Sequence, residues 1–299
     1  MTSRLLARGR ASARERLRKR FGKIIVTREV AGATMAMPWA HRLPDYVAAF
    51  PSYGRNLVDL AESLRPDSRP VKLIDIGANI GDSALQILAR TDARVLCVDG
   101  DPYWLPFLER NTKNESRITR EAALVVEQVG AATLAPVRQS GTTRFVPSAA
   151  PVAADQLTAQ ALRDRHPEFH DVRLIKSDID GYDCRIVPLL ARAWADVDPV
   201  LFFEFDPDLT RRSGDEHPEH VWDELEQLGY VHAAVWTNFG TPLGNGSLQD
   251  LRTAAAALNE PLETRTYHYW DVALAKGDDH VAAAAFGRLA PDPLLRERH

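Results

Sequence analysis

A chain of 299 residues with 45% hydrophobic content is long enough to bury one large core, and one α/β domain with additions is the economical reading. No apolar run approaches the roughly 18 residues of a membrane span and the start lacks the apolar core of a secretory leader, so a cytoplasmic protein is expected. Two cysteines, Cys97 and Cys184, exclude a disulfide framework or a cysteine metal cluster and read as small core residues.

The net charge of −4 is unevenly spread, because residues 1–28 hold ten Lys/Arg against one acid, Glu15. Such a segment either docks on anionic lipid, nucleic acid or an acidic partner, or rests through Leu5, Leu6, Leu17 and Phe21 on the domain or a second copy. Its apolar face is thin for a membrane-binding helix, which favours the second alternative. Residues 24–51 mix β-prone pieces with Pro38, Pro44 and Pro51 and predict an irregular cap or one hairpin. Trp39, His41 and Tyr46 either line an acceptor pocket or pack. A helix carrying Leu57, Val58, Leu60, Ala61 and Leu64 follows, with Ser52 or Asn56 as cap and Pro66 as stop. Arg55 ahead of it is a candidate for a ligand carboxylate or a plain surface arginine.

Residues 71–88 read VKLIDIGANIGDSALQIL: an apolar run, a glycine turn, then apolar residues at helical spacing. Glycine at 77 and 81 allows a sharp bend and close approach to a ligand, and the following helix start offers N–H groups. The pattern lacks G-x-G-x-x-G and has no Gly-Lys-Ser/Thr, so neither a dinucleotide nor a phosphate grip is indicated. An acid in the strand suits an ammonium and carboxylate instead, and Asp75, Gly77, Asn79 and Gly81 are the candidate contacts. A second strand, 95–98, ends at Asp99, placed to accept both hydroxyls of a ribose. Amino acid at one turn and ribose at the next describes S-adenosylmethionine.

Pro102 fixes the start of a second helix. A third strand, 118–126, is expected to pass the adenine, with residues 121–123, centred on Ala122, as the contacts. Residues 132–138 and 142–146 form a hairpin around Gln-Ser-Gly, and 155–165 reads as a helix. In RLIKSDIDGYD (173–183), Lys176, Asp178 and Asp180 alternate, so a strand would point them one way, beside the ligand crevice at the sheet's carboxyl ends. Asp180 is the candidate general base and Lys176 orients it or lowers the pKa of the acceptor hydroxyl; alternatively Asp178 holds the cofactor's ammonium and Asp180 caps the helix starting near Asp183.

The strand 200–205 ends in Glu204-Phe-Asp206-Pro-Asp208, a carboxylate group fit for Mg²⁺; helix starts gather acids for dipole reasons alone, and no metal is adopted. His217 and His220 lack a third partner and read as surface histidines. An amphipathic helix (221–228), a strand (230–236), a glycine-rich stretch with a short helix (237–265) and a last strand (267–276) follow. In that strand either His268 and Trp270 or Tyr269 and Asp271 face a pocket. An alanine-rich helix (281–289) and a Pro/Arg tail (291–299) close the chain.

Three blocks carry a resemblance: Asp75-Ile-Gly-Ala-Asn79-Ile-Gly81; Val98-Asp99-Gly-Asp101-Pro102 with Asn111 beyond; and Leu174-Ile-Lys176-Ser-Asp178-Ile-Asp180-Gly181-Tyr182. Together they resemble the FkbM-type family of S-adenosylmethionine-dependent methyltransferases, with the likeness spanning 57–276. Asp180 stands where that family usually has glutamate, and Asp99-Gly100 where it tends to have Glu-Pro; both changes keep the charge. The resemblance implies a class I methyltransferase (Rossmann-like) fold: a doubly wound seven-stranded mixed sheet over 57–290, with an N-terminal extension (1–56) and a small β-hairpin insertion. It also implies methyl transfer to a hydroxyl of a sugar-containing or other polar metabolite. N-methylation, a nucleic-acid acceptor and a non-catalytic cofactor-binding subunit are the alternatives. No aromatic-basic interleaving speaks for nucleic acid.

Overall fold

Short runs of Val, Ile, Leu and Phe, each followed by a turn and an amphipathic helix, build the centre of the molecule. The computed structural model describes residues 21–65, 70–131, 134–139, 142–148 and 154–294. The basic stretch 1–20, Pro66 and the end of the tail lie outside them. An antiparallel hairpin, β1 (Ile25–Val30) and β2 (Ala33–Pro38), leads into α1 (Leu43–Ala49) and α2 (Arg55–Ser63). Then β3 (Lys72–Ile76), α3 (Asp82–Arg90), β4 (Arg94–Val98), α4 (Leu105–Thr112) and β5 (Ile118–Glu121) alternate. A side region follows, comprising β6 (Ala123–Val125), β7 (Leu134–Gln139), β8 (Thr142–Pro147), β9 (Asp155–Leu157) and α5 (Ala159–Arg165). The chain returns through β10 (Leu174–Ser177), α6 (Asp183–Ala193), β11 (Val200–Phe205), α7 (Pro207–Arg212) and α8 (His220–Gln227). It finishes with β12 (Tyr230–Thr237), β13 (Pro242–Ser247), α9 (Leu248–Ala255), β14 (Trp270–Lys276) and α10 (His280–Leu289).

The central sheet has eight strands in the order β13-β12-β14-β11-β10-β3-β4-β5. The run from β11 to β5 is parallel, and β14, β12 and β13 join antiparallel. This is the doubly wound mixed arrangement expected, with one strand more than the seven anticipated. The extra strand is the glycine-rich stretch after β12: Gly244 and Gly246 carry no side chain to betray a strand period, yet they pair with Val235 and Ala233. The strand order reverses between β3 and β10, and in such sheets the ligand crevice opens there, at the carboxyl ends of the parallel strands.

Both faces of the sheet are buried, which is why these strands read as continuous apolar runs. Ile74, Ile76, Leu96 and Val98 pack on one side with Leu190, Trp194 and Trp222. Leu73, Val95 and Cys97 pack on the other with Leu57, Leu60, Ile87 and Phe286. A third cluster joins Met35 and Met37 of β2 to Ile80 and Trp104. Asn111 fastens it: its side-chain oxygen accepts from the Ala36 N–H at 2.7 Å, and its amide donates to the carbonyls of Ala36 and Ile80.

Three local expectations fail for identifiable reasons. The run 118–126 breaks at exposed Ala122, after which β6 leaves the sheet to pair in parallel with β9. That pairing makes 155–157 a strand, and Thr158 caps the helix behind it through the Ala161 N–H. Helix α2 starts from Gly54 in a left-handed conformation, so neither Ser52 nor Asn56 is its cap. Both cysteines are free and buried, and among the described residues no helix is long and apolar enough to cross a membrane.

Candidate functional site

The cleft rests on a close approach that only glycine permits. Gly77 has φ +77°, and a Cβ there would stand 2.0 Å from the Asp178 carbonyl oxygen, so the turns after β3 and β10 could not touch. Asn79, also left-handed at φ 51°, donates its backbone N–H to Asp99 Oδ2 at 2.7 Å. Asp99 Oδ1 accepts from the Asp101 N–H at 2.8 Å, which holds the carboxylate flat at the end of β4. Burial pushes it up to about 6, against those two hydrogen bonds. Each oxygen keeps a second lone pair for a ligand hydroxyl.

A cavity of about 390 Å³ opens beside Asp99, walled by Ile76, Gly77, Asn79, Val98, Leu124, Val125, Phe145 and Ile179, with Glu127 and Arg185 farther out. It joins a second cavity of about 180 Å³ that carries Tyr53, Asp82, Lys176, Glu204, Tyr269 and Asp271. Gly77, Asn79, Asp178 and Asp180 belong to both walls and form the junction. His41 and Tyr46 from the N-terminal region also line the second cavity. Asp82 sits at the start of α3, and burial raises its carboxylate above the ordinary value. An acid already occupies this helix start, so a phosphate would meet like charge there, in keeping with the missing phosphate-binding motif.

The expected site residues separate into those in the cleft and those behind it. Gly77, Asn79, Asp99, Lys176, Asp178 and Asp180 line one or both cavities. Asp75 does not: it is fully buried in β3 and its Oδ1 lies 2.8 Å from Lys176 Nζ. Gly81 does not either, since a Cβ there would meet Thr112 and Leu108, which makes it a helix-packing glycine. Ala122, the expected adenine contact, is exposed outside the wall, and the lining on this side begins at Ala123. Glu121 turns away to accept from Arg165 and pair with His166. Arg55 is exposed away from both cavities, and Trp39 lines neither. In the last strand Tyr269 and Asp271 face the site and Trp270 is buried.

Strand alternation places only Lys176 as foreseen, because β10 ends at Ser177. Lys176 Nζ donates to the Gly77 carbonyl at 3.2 Å and lies 3.7 Å from Asp178. Burial works to lower its pKa, but Asp75 and Asp178 outweigh burial and hold it protonated, above the usual lysine range. Asp180 adopts φ 51° and turns its Oδ2 to the Thr143 N–H at 3.0 Å, so it caps no helix. Burial, then Asp178 and Asp183, push Asp180 up to about 7. Glu204 is raised well above its ordinary value by burial and by Asp178, Asp180 and Asp183. Thr143, Phe145, Tyr53 and Asp82 are wall residues that the sequence reading missed; they come from the hairpin, a loop and a helix start, where no side-chain period marks them.

Among the described residues no three or more His, Cys, Asp or Glu side chains converge to hold a metal ion. Asp206 instead caps α7, accepting from the N–H groups of Asp208 and Leu209, both at 2.9 Å, and Asp208 pairs with Arg265.

The carboxylates give the fold a pH signature. Asp180, Asp183 and Asp271 each rise from the ordinary 3.8 to about 7, chiefly through burial. Between those values the folded chain holds protons that the unfolded chain has released. Stability from this source is therefore complete below about pH 4 and is lost as pH rises through about 7. The melting temperature is expected to fall from about pH 5 to about pH 8 in calorimetric scans; a flat profile would mean that these groups titrate normally.

No family model and no curated protein matches the sequence, so the FkbM-type resemblance stands on the blocks quoted above. Solved structures similar to it include precorrin-6y C5,15-methyltransferase from Geobacter metallireducens, at 12% identity over 74% of this chain and 88% of that one, TM-score 0.36. A TehB-like SAM-dependent methyltransferase from Corynebacterium glutamicum matches at 14% identity over 75% and 88%, TM-score 0.39. The N-methyltransferase NodS from Bradyrhizobium japonicum matches at 12% over 75% and 93%, TM-score 0.40. Likeness this distant carries no functional argument, and the reading of the site rests on its own geometry.

Proposed function

We propose that this chain is an S-adenosylmethionine-dependent O-methyltransferase acting on a hydroxyl of a sugar-containing or other polar metabolite. The observation that carries the reading is the junction itself. A nucleoside-sized cavity with a ribose-type carboxylate meets a smaller polar cavity at Asp178 and Asp180, and Asp180 titrates near neutrality. The residues suit the donor: Asp99 for two ribose hydroxyls, Val98, Leu124 and Val125 for the flat apolar base, and Asp178 with the Gly77 turn for an ammonium. When bound, the donor supplies a methyl carbon already activated by its sulfonium.

The protein then has to align an acceptor oxygen and remove its proton, and alignment accounts for much of such a gain. Asp180 is the base at the junction. Lys176, in the wall of the second cavity, fixes Gly77 and Asp178, and Asp75 keeps it charged. The second cavity offers Tyr53, Tyr269, Glu204 and Asp271 as hydrogen-bonding partners for a polyhydroxyl acceptor. The same acidic lining supports a second reading, a protonated amine acceptor; competition by simple amines against simple sugars in the transfer assay separates the two.

Calorimetric titration with S-adenosylmethionine and S-adenosylhomocysteine tests the donor half, and absence of saturable binding by both would refute it. In Asp99→Ala, affinity for either is expected to drop by about ten- to a hundredfold, the worth of a hydrogen bond to a charged group of roughly 1.5–3 kcal/mol. The circular dichroism spectrum should be retained. Unchanged affinity would mean that the ribose is held elsewhere.

A further inference from the structure

The β7–β8 hairpin forms its own small sheet, yet it is fastened to the cleft at several points. Arg138 and Thr143 are register partners across it, and both reach Asp101, whose side chain is buried. Arg138 Nε donates to Asp101 Oδ2 at 2.8 Å, and its Nη2 pairs with Oδ1. The Thr143 hydroxyl donates to the same Oδ2 at 2.6 Å and accepts from Trp104 Nε1 at 2.8 Å. Farther along, the Tyr182 hydroxyl donates to the Phe145 carbonyl at 2.8 Å. Thr143 and Phe145 thereby become wall residues of the first cavity, and the Thr143 N–H meets Asp180 Oδ2.

We propose that Thr143 is a positioning residue: its hydroxyl latches the hairpin onto Asp101 and Trp104 over the donor cavity, and its amide thereby fixes the Asp180 carboxylate at the junction. The inference rests on the methyl-transfer reading for its catalytic meaning. The side chain and the main chain of one residue tie together the two halves of the cleft. Closing the donor cavity and orienting the base become one event, because the hairpin cannot move away without withdrawing the N–H from Asp180.

Burial and the groups facing Asp180 set the direction of the effect. Asp178, Asp183 and Glu204 disfavour its ionised form, whereas Lys176 and the Thr143 N–H favour it. Releasing the hairpin removes the Thr143 N–H but also uncovers Asp180, and burial is the largest cause of its rise, so its midpoint should fall toward the ordinary carboxylate range.

The test uses the full chain as wild type, Thr143→Val, Thr143→Ser and Arg138→Gln, the last loosening the hairpin from its other strand. Stopped-flow fluorescence gives the dissociation rate of S-adenosylhomocysteine. Carbon-13 NMR of aspartate-labelled protein gives the Asp180 midpoint, with its resonance identified by its loss in Asp180→Asn. In Thr143→Val and Arg138→Gln, dissociation is expected to quicken about tenfold or more, the worth of one charge-assisted hydrogen bond. The Asp180 midpoint should move downward, and Thr143→Ser should restore both. Wild-type rate and midpoint in Thr143→Val, even with a lowered melting temperature, would overturn the proposal. Should S-adenosylhomocysteine fail to bind the wild type, the donor reading falls by itself. The NMR midpoint then still decides: a downward shift upholds the latch on Asp180, and an unmoved or raised one overturns it.

Discussion

Asp180→Asn is expected to lower kcat by about 10²–10⁴-fold, the usual contribution of general base catalysis, while donor affinity stays unchanged. The residue occupies a left-handed position held open by Gly181, at φ +95°, where a Cβ would stand 2.5 Å from the Leu209 backbone. Its carboxylate is half-buried at the junction of the cavities, and its elevation to about 7 puts it near the operating pH, where a general base is most effective. The sign of the pH dependence follows. Asp180 works only when ionised, so wild-type kcat should climb through about pH 7 to a plateau, and the asparagine variant should lose that limb. Incubating the protein with labelled donor and cell extract, then finding by mass the compound that gains the label, supplies the acceptor for the assay. A fully active Asp180→Asn would remove it as the base, and no transfer by the wild type would favour a non-catalytic subunit.

Lys176→Met should cost about 3–5 kcal/mol of stability, because it strips Asp75 of its partner and leaves a buried charge uncompensated. Asp75 is fully buried and Lys176 nearly so, which separates this pair from the exposed ion pairs such as Arg65–Asp92, worth little individually. Urea unfolding measures the loss. The double substitution Asp75→Leu, Lys176→Met should recover most of it, since apolar residues of similar volume can replace a buried pair without penalty. Donor binding should remain weak in the recovered protein, because the Gly77 carbonyl and Asp178 have lost the cation that arranges them. Wild-type stability in Lys176→Met would show that the two side chains do not meet.

The strands and most helices were legible because burial on both faces leaves uninterrupted apolar runs, and because the glycine turn after β3 cannot be built from other residues. Asp99 was legible as the acid ending a strand. What escaped was decided by contacts distant in sequence. Asp75 looked like a ligand because its place in the chain is right; only the cross-strand neighbour Lys176, a hundred residues on, reveals its task. Gly81 looked like part of the binding turn, and its packing on Leu108 and Thr112 depends on α4. The break at Ala122 accompanies pairing with β9, more than thirty residues away, and it displaced the cavity wall by a residue. Asp180 was identified by its charge within the block, but for the wrong geometric reason: β10 had already ended, and a positive φ aims the side chain.

The clasp formed by Asn111 has a practical corollary for anyone trimming the gene. One carboxamide spends its oxygen on Ala36 and its nitrogen on both Ala36 and Ile80, so the leading hairpin and the glycine turn share a single rivet. A fragment beginning at α2 would lack Met35 and Met37, bare Ile80 and Trp104, and deprive Asn111 of its Ala36 partner. The shortest soluble version should therefore begin ahead of Ile25.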